Sequence, residues 1–167
     1  HRPPVGPGDI PIPPGVALPV TELQVMGEKG PAKIRTSELF AGKKAVLFAG
    51  PGAFTPTCSA AHLPGFVVNA DKLREKGVDT IVCTSVNDAF VMDAWGKAHN
   101  ADEIVMLADG LAEFAKALDL TQDRTANGMG IRSQRYAMIV NDGKVELLHV
   151  DPQGLDLTSA ETILESL

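Results

Sequence analysis

Hydrophobic positions along the chain fall into short runs separated by polar stretches rich in Gly and Pro, and the period within each run identifies the element. Lys44–Ala49 holds the unbroken run Ala45-Val46-Leu47-Phe48-Ala49, and Val78–Val86 is a second such stretch. Runs of this length without alternation read as strands buried on both faces. Ile104–Ala108 is a third. Upstream, Val20–Ile34 reads as short strands around a Gly30-Pro31 turn, leading to a small helix at Ser37–Phe40. A longer helix is predicted from Thr57–Cys58 to Lys76, interrupted at Leu63-Pro64-Gly65, where Pro64 removes an intrahelical donor and should kink it. Asn87 or Asp88 caps a helix running to about Ala98, with Val91, Trp95 and Ala98 on one face. Gly110–Leu118 and Ser159–Leu167 are two more helices. Arg135–Val140 and Lys144–Val150 flank Asn141-Asp142-Gly143, a strong hairpin signal. Strands alternating with helices and closing in a hairpin give an α/β domain, a central mixed β-sheet flanked by helices.

That order of elements suits a thioredoxin-like core with additions. Seven of the twelve prolines fall in the first nineteen residues. Proline fixes φ and lacks a donor, so residues 1–15 are expected to form an extended arm and residues 16–167 the domain. The arm reads either as a recognition segment for a proline-binding module or, more plainly, as a tail on the domain.

The chain has 167 residues and a mass of 17.6 kDa, enough for one domain with a sizeable core. Its apolar runs are far short of the roughly 20 residues that cross a bilayer, so no membrane span is expected. A net charge of −6 lacks the basic footprint of a nucleic-acid binder. Two cysteines without CxxC spacing make no disulfide framework, and a reducing intracellular compartment is the expectation. Cys58 and His62 are the only Cys–His pair at helical spacing, and two ligands make a poor zinc site. The chain begins at His1 rather than Met, which reads as a processed or excised form with any targeting peptide out of sight.

The most informative stretch is Gly50-Pro51-Gly52-Ala53-Phe54-Thr55-Pro56-Thr57-Cys58-Ser59. A cysteine just inside a helix, directly after a strand and a tight loop, meets unpaired amide N–H groups and the positive end of the helix dipole. That setting favours the thiolate, the nucleophilic form. Position alone equally allows a small buried hydrophobe, the usual fate of a lone cysteine.

The run Pro51-Gly-Ala-Phe-Thr55-Pro-Thr-Cys58 resembles the active-site signature of peroxiredoxins, P-x-x-x-T-x-x-C. More narrowly it resembles the type-II subfamily, which spans plant and algal type-II enzymes and the animal peroxiredoxin-5 branch. Further matches are His62-Leu-Pro-Gly-Phe66, Ser85-Val-Asn-Asp-Ala-Phe-Val91, Ala94-Trp-Gly96 and Arg132-Ser-Gln-Arg-Tyr136; only the proline-rich arm lies outside them. The resemblance implies a thiol peroxidase for hydrogen peroxide and alkyl hydroperoxides that needs no cofactor. In that reading Cys58 attacks the peroxide and becomes a sulfenic acid. Thr55 supplies a hydroxyl to peroxide and thiolate, Pro51 walls the pocket, and Arg135 holds the thiolate and the developing charge. Read without the resemblance, Thr55 is a turn or cap residue, Pro51 a loop stiffener and Arg135 a surface charge. Arg132 is a second arginine to which the resemblance points less firmly. His62 reads as a packed or supporting histidine rather than a general base.

Cys83 sits in the apolar run Thr80-Ile-Val-Cys-Thr-Ser-Val86, where burial is the default. In plant type-II enzymes a cysteine at this spacing is assigned as the resolving partner. The animal members resolve through a C-terminal Leu-Thr-Cys-Ser stretch, where this chain has Leu157-Thr158-Ser159-Ala160. A Cys58–Cys83 disulfide needs Cα atoms within about 7 Å, and reaching it is expected to require local unfolding. The alternative is a one-cysteine cycle in which glutathione attacks the sulfenic acid. Expected reductants are glutaredoxin with glutathione, or thioredoxin. The resemblance further implies a homodimer, with the Phe90–Trp95 region as a candidate contact that is equally explained as core. It also allows chloroplast, mitochondrion or cytosol, with the Pro-rich start tilting toward a cleaved chloroplast transit peptide. The rival readings are a disulfide oxidoreductase, weakened by the missing CxxC, and a non-enzymatic redox sensor.

Overall fold

The computed structural model describes residues 13–167; residues 1–12, most of the Pro-rich arm, lie outside the described residues. The first half runs β1 (Glu22–Gly27), β2 (Gly30–Arg35), α1 (Thr36–Phe40), β3 (Lys44–Ala49), a π-helical turn (Cys58–His62), α2 (Leu63–Val68), α3 (Ala70–Glu75), β4 (Thr80–Ser85) and α4 (Ala89–Ala98). The second half runs β5 (Ile104–Ala108), α5 (Glu113–Ala117), β6 (Thr121–Arg124), a short 3-10 turn (Thr125–Asn127), β7 (Gly130–Ser133), β8 (Arg135–Asn141), β9 (Lys144–Asp151) and α6 (Ala160–Glu165). Seven strands make one mixed sheet in the order β2-β1-β5-β4-β3-β8-β9. Its centre, β3-β4-β5, is parallel, and β1 and β8 flank it antiparallel. Both faces of these central strands are covered, which is why their sequences are unbroken apolar runs. On one face Val46, Phe48, Ile81 and Cys83 pack with Leu63, Phe66, Met92 and Ile163; on the other Leu47 and Val82 pack with Phe40 and Phe114.

The β8–β9 hairpin forms as expected. Asn141 pairs with Lys144, and Asp142 and Gly143 take φ of 49° and 76°, the left-handed pair that a two-residue loop between twisted strands requires. Ahead of β1, Ala17 bridges Lys144, and the Leu18 amide donates to the Gly143 carbonyl, tying the start of the domain to that hairpin.

Other elements depart from expectation for identifiable reasons. The first turn lies at Glu28-Lys29, closed by Gly27 and Gly30, and Pro31 sits in β2 opposite Met26. β2 is an edge strand, where a missing N–H is tolerated. The expected interruption at Leu63-Pro64-Gly65 is a change of helix type: the π turn passes directly into α2 with His62 and Leu63 both in helical backbone, and Pro64 stands in the first turn of α2. A break comes at Asn69, between α2 and α3, where the Asn69 side chain donates to the Gly65 carbonyl.

Asp88, not Asn87, caps α4, accepting from the Val91 amide at 2.8 Å. The buried face of α4 is Ala89, Met92, Trp95 and Gly96, while Val91 is half-buried and Ala98 exposed. Gly96 sets that rotation: a Cβ there would come 2.8 Å from Met106 Cγ, so the glycine lets the helix backbone lie on β5. α5 begins at Glu113 rather than Gly110, because the Asp109 carboxylate accepts from the Phe114 and Ala115 amides and fixes the helix start there. The β6–β7 ribbon was not legible in the pattern: its strands are four residues long and mostly polar.

Candidate active site

At the end of β3 the chain passes through Gly50 into the Pro51–Phe54 loop and then into the π turn that opens with Cys58. Gly50 is where loop and sulfur meet. A Cβ on it would stand 2.5 Å from Cys58 Sγ, closer than real side chains pack, and 3.1 Å from Arg135 Nη1, a tight contact. Three contacts hold the loop. Arg132 donates from Nη1 to the Pro51 carbonyl (3.2 Å) and from Nε to the Met129 carbonyl (2.9 Å), stapling the loop to the β6–β7 ribbon. Asn87, just past β4, accepts from the Ala53 amide at 2.9 Å and from the Ser85 hydroxyl at 2.6 Å. The Thr55 hydroxyl donates to the Gly52 carbonyl at 2.7 Å.

Cys58 is 1% exposed. Arg135, the first residue of β8 and itself buried, donates from Nη2 to Cys58 Sγ at 3.3 Å. Its other terminal nitrogen, Nη1, lies 2.7 Å from His62 Nδ1, and His62 Nε2 lies 3.0 Å from the Thr158 carbonyl. Arginine cannot accept a hydrogen bond and a carbonyl cannot donate one, so the imidazole must carry its proton on Nε2 and accept at Nδ1. The ring is enclosed by Phe48 and Phe66, at centroid distances of 5.0 and 5.6 Å. That burial, aided by the Arg135 charge, lowers the His62 pKa from 6.5 to about 3, so the ring is neutral at physiological pH. A neutral histidine thus anchors one arm of the guanidinium while the other arm reaches the sulfur.

Behind Thr158 stands Asp151, the last residue of β9. Its carboxylate accepts from the Asp156, Leu157 and Thr158 amides at 2.9–3.1 Å and from the Thr158 hydroxyl at 2.6 Å. Burial pushes this acid up, but the hydrogen bonds from Thr158, Asp156 and Leu157 outweigh it and hold the carboxyl below its ordinary value.

The fold therefore brings Pro51, Thr55, Cys58 and Arg135 together. A cleft of about 440 Å³ opens beside them, walled by Pro51, Thr55, Thr57, Arg124, Arg135 and Gln153 among others. Arg132 is directed to the loop rather than the sulfur. Cys83 lies in mid-β4 on the same core face as Cys58, fully buried, and burial, followed by the nearby Cys58, pushes its thiol well above the ordinary range. Both cysteines are free. His62 is a supporting residue, as its place one turn after Cys58 allowed. Asn87, Asp151 and Thr158 were missed. Asn87 stood in the sequence only as a possible helix cap, and the other two gave no local signal.

What the cluster can do follows from the sulfur. The Arg135 guanidinium donates to it from 3.3 Å, and the cleft that Pro51, Thr55 and Arg135 line opens beside it. Comparison with known proteins agrees. The redoxin family model matches residues 13–164. The chain is 49% identical over 138 residues to Peroxiredoxin-2E, chloroplastic, of Arabidopsis thaliana, spanning 80% of this chain but 59% of that protein. It is 48% identical over 131 residues to Peroxiredoxin-2B of the same plant, spanning 77% and 81%. The crystal structure of reduced Prx3 in complex with H2O2 from Vibrio vulnificus superposes with a TM-score of 0.90 at 56% identity, over 93% of this chain and 98% of that one. Thioredoxin-like in fold, with a buried Arg135 donating to Cys58 beside the Pro51–Phe54 loop, the chain belongs to the redoxin family and, within it, to the peroxiredoxins.

Proposed function

We propose that the protein is a thiol peroxidase that reduces hydrogen peroxide and alkyl hydroperoxides at Cys58. The observation that carries this reading is the forked Arg135, with Nη2 3.3 Å from Sγ and Nη1 fixed on a neutral imidazole. The thiolate attacks the terminal oxygen of the peroxide, the O–O bond breaks, and the sulfur is oxidised to a sulfenic acid. The peroxide is reduced to water or an alcohol, its leaving oxygen taking a proton. Charge builds on sulfur and both oxygens during that step, and a fixed guanidinium stabilises it without reorganising. While its proton is held by the Gly52 carbonyl, the Thr55 oxygen can only accept, which suits it to the O–H of an incoming peroxide. Pro51 forms the wall of the cleft.

For the return half, an external thiol serves: glutathione attacks the sulfenic acid, and glutaredoxin, or alternatively thioredoxin, completes the reduction. The burial of Cys83 in mid-β4 favours this one-cysteine cycle over an internal disulfide. A homodimer in contact near the active-site loop is supported by Phe54 and Phe90, which are 54% and 65% exposed, while Trp95 of the same region is core. A relative named chloroplastic supports the plastid expectation for the compartment.

Rapid mixing of the reduced protein with one equivalent of hydrogen peroxide, quenched with a sulfenic-acid trap and mapped by mass spectrometry, tests the peroxidase reading. The trap should mark Cys58 within milliseconds and leave Cys58→Ser unmarked. Failure of Cys58 to react faster than free cysteine sinks it.

A further inference from the structure

Arg135 and Asp151 face each other across β8 and β9 as register partners. An arginine opposite an aspartate on one sheet face ordinarily forms an ion pair. Here it does not: among the described residues the three ion pairs lie elsewhere. Every hydrogen bond of the Asp151 carboxylate goes instead to the chain just beyond β9, three to Oδ2 and one to Oδ1. Two consequences follow. The guanidinium, spared its obvious partner, gives its two terminal nitrogens to Cys58 Sγ and His62 Nδ1. The loop 156–158, pinned by the carboxylate, presents the Thr158 carbonyl to His62 Nε2 at 3.0 Å. Thr158 is fully buried, so that carbonyl has no water to exchange for the imidazole.

We propose that Asp151 is a positioning residue for the Cys58 thiolate, acting through the Thr158 carbonyl, the His62 tautomer and the Arg135 fork. With the loop released, the imidazole loses the acceptor that keeps its proton on Nε2. A ring protonated on Nδ1 cannot accept from Arg135 and repels it. The guanidinium then loses the anchor that fixes its reach to the sulfur. The charged and titratable groups around Cys58 are Arg135 from β8, His62 from its own turn and Cys83 from β4, with Asp151 of β9 behind Arg135. Asp151 is the anion of that set. A purely through-space effect of its charge therefore has the opposite sign: removing it would favour the thiolate, whereas loss of the relay disfavours it.

The proposal rests on Cys58 reacting as a thiolate, as the peroxidase reading requires, and the test separates the two. Alkylation of Cys58 by iodoacetamide, followed peptide by peptide from pH 5 to 9, reports the thiolate fraction without peroxide. In Asp151→Asn one acceptor oxygen becomes an NH2 donor, so with the amide oxygen at the Oδ2 position the Leu157 contact fails and the three remaining bonds lose their charged acceptor. Alkylation at pH 6 should be about tenfold slower than in the wild type, the two converging within twofold at pH 9 where the thiol ionises unaided. Thr158→Val keeps the charge at 151 and removes only the 2.6 Å hydroxyl bond. It should slow alkylation at pH 6 about threefold, and it decides the matter alone if Asp151→Asn does not melt cooperatively. Asp151→Glu should recover part of the loss. Unchanged or faster alkylation at pH 6 in the folded variants overturns the relay. Wild-type protein that is alkylated quickly at pH 6 but ignores peroxide overturns the peroxidase reading and leaves the relay standing.

Discussion

At Gly50 one added carbon decides whether the sulfur keeps its place. The φ of Gly50 is not in the left-handed region, so alanine fits the backbone there; the obstacle is the 2.5 Å approach of its Cβ to Cys58 Sγ and the 3.1 Å approach to Arg135 Nη1. Either the sulfur or the guanidinium must move, and a displacement of about 1 Å at a reacting group can cost about a hundredfold in rate. Gly50→Ala should thus retain a cooperative melt while peroxide oxidation of Cys58, followed by stopped flow, slows about a hundredfold; a rate within threefold of wild type contradicts the geometry. His62 makes a prediction of another kind. Its pKa is 6.5 unfolded and about 3 folded. Between those values the unfolded chain binds a proton that the folded chain refuses, so the contribution is complete above pH 6.5 and is lost as pH falls. By pH 5 the loss from this one ring is about 2 kcal/mol. Urea unfolding at pH 7.5 and pH 5 should show wild type losing about 2 kcal/mol more than His62→Gln over that interval. Equal losses would mean that the ring is protonated in the folded protein.

Among the elements, those that carry their own signal were legible and those made by distant pairing were not. The central strands announced themselves because both faces are buried, and the β8–β9 turn because Asp142-Gly143 suits the left-handed pair. The cysteine was legible because the loop and turn around it form one contiguous stretch, Gly50 to Ser59. The β6–β7 ribbon gave no such signal, being short, polar and paired with itself. That gap matters for Arg132 and Arg135, only three residues apart. The ribbon ends between them, so Arg132 on β7 turns to the Pro51 loop while Arg135 on β8 turns into the core. From sequence, only the resemblance separated them. The supporting contacts were invisible for a stronger reason: Arg135 to His62, Arg135 to Cys58 and His62 to Thr158 span 73, 77 and 96 residues. No local pattern encodes which strand end will meet which turn. The later start of α5 and the rotation of α4 have the same cause, since Asp109 and Gly96 act through tertiary contacts rather than through propensity.

At the scale of the whole molecule, the question is how an oxidised Cys58 returns to the thiol. The two cysteines share one face of the sheet, and Cys83 is close enough for Cys58 to perturb its ionisation. Nearness alone does not make a resolving thiol. The attacking group must be a thiolate, and burial holds Cys83 in its protonated form with no exposed path for a base. Its strand is also paired on both sides, with β3 and β5, so moving Cys83 toward Cys58 breaks the centre of the sheet. Unwinding the Cys58 turn is the easier motion, and it carries the sulfur outward to solvent and to an external thiol. Cys83→Ser should therefore turn over hydrogen peroxide within twofold of wild type when glutathione and glutaredoxin are supplied. Non-reducing peptide maps after one equivalent of peroxide and excess glutathione should contain glutathione on Cys58 and no peptide joining positions 58 and 83. A linked peptide appearing as fast as the sulfenic acid disappears, together with a more than tenfold loss of turnover in Cys83→Ser, would instead mean that the sheet opens during every cycle and that Cys83 is the resolving thiol.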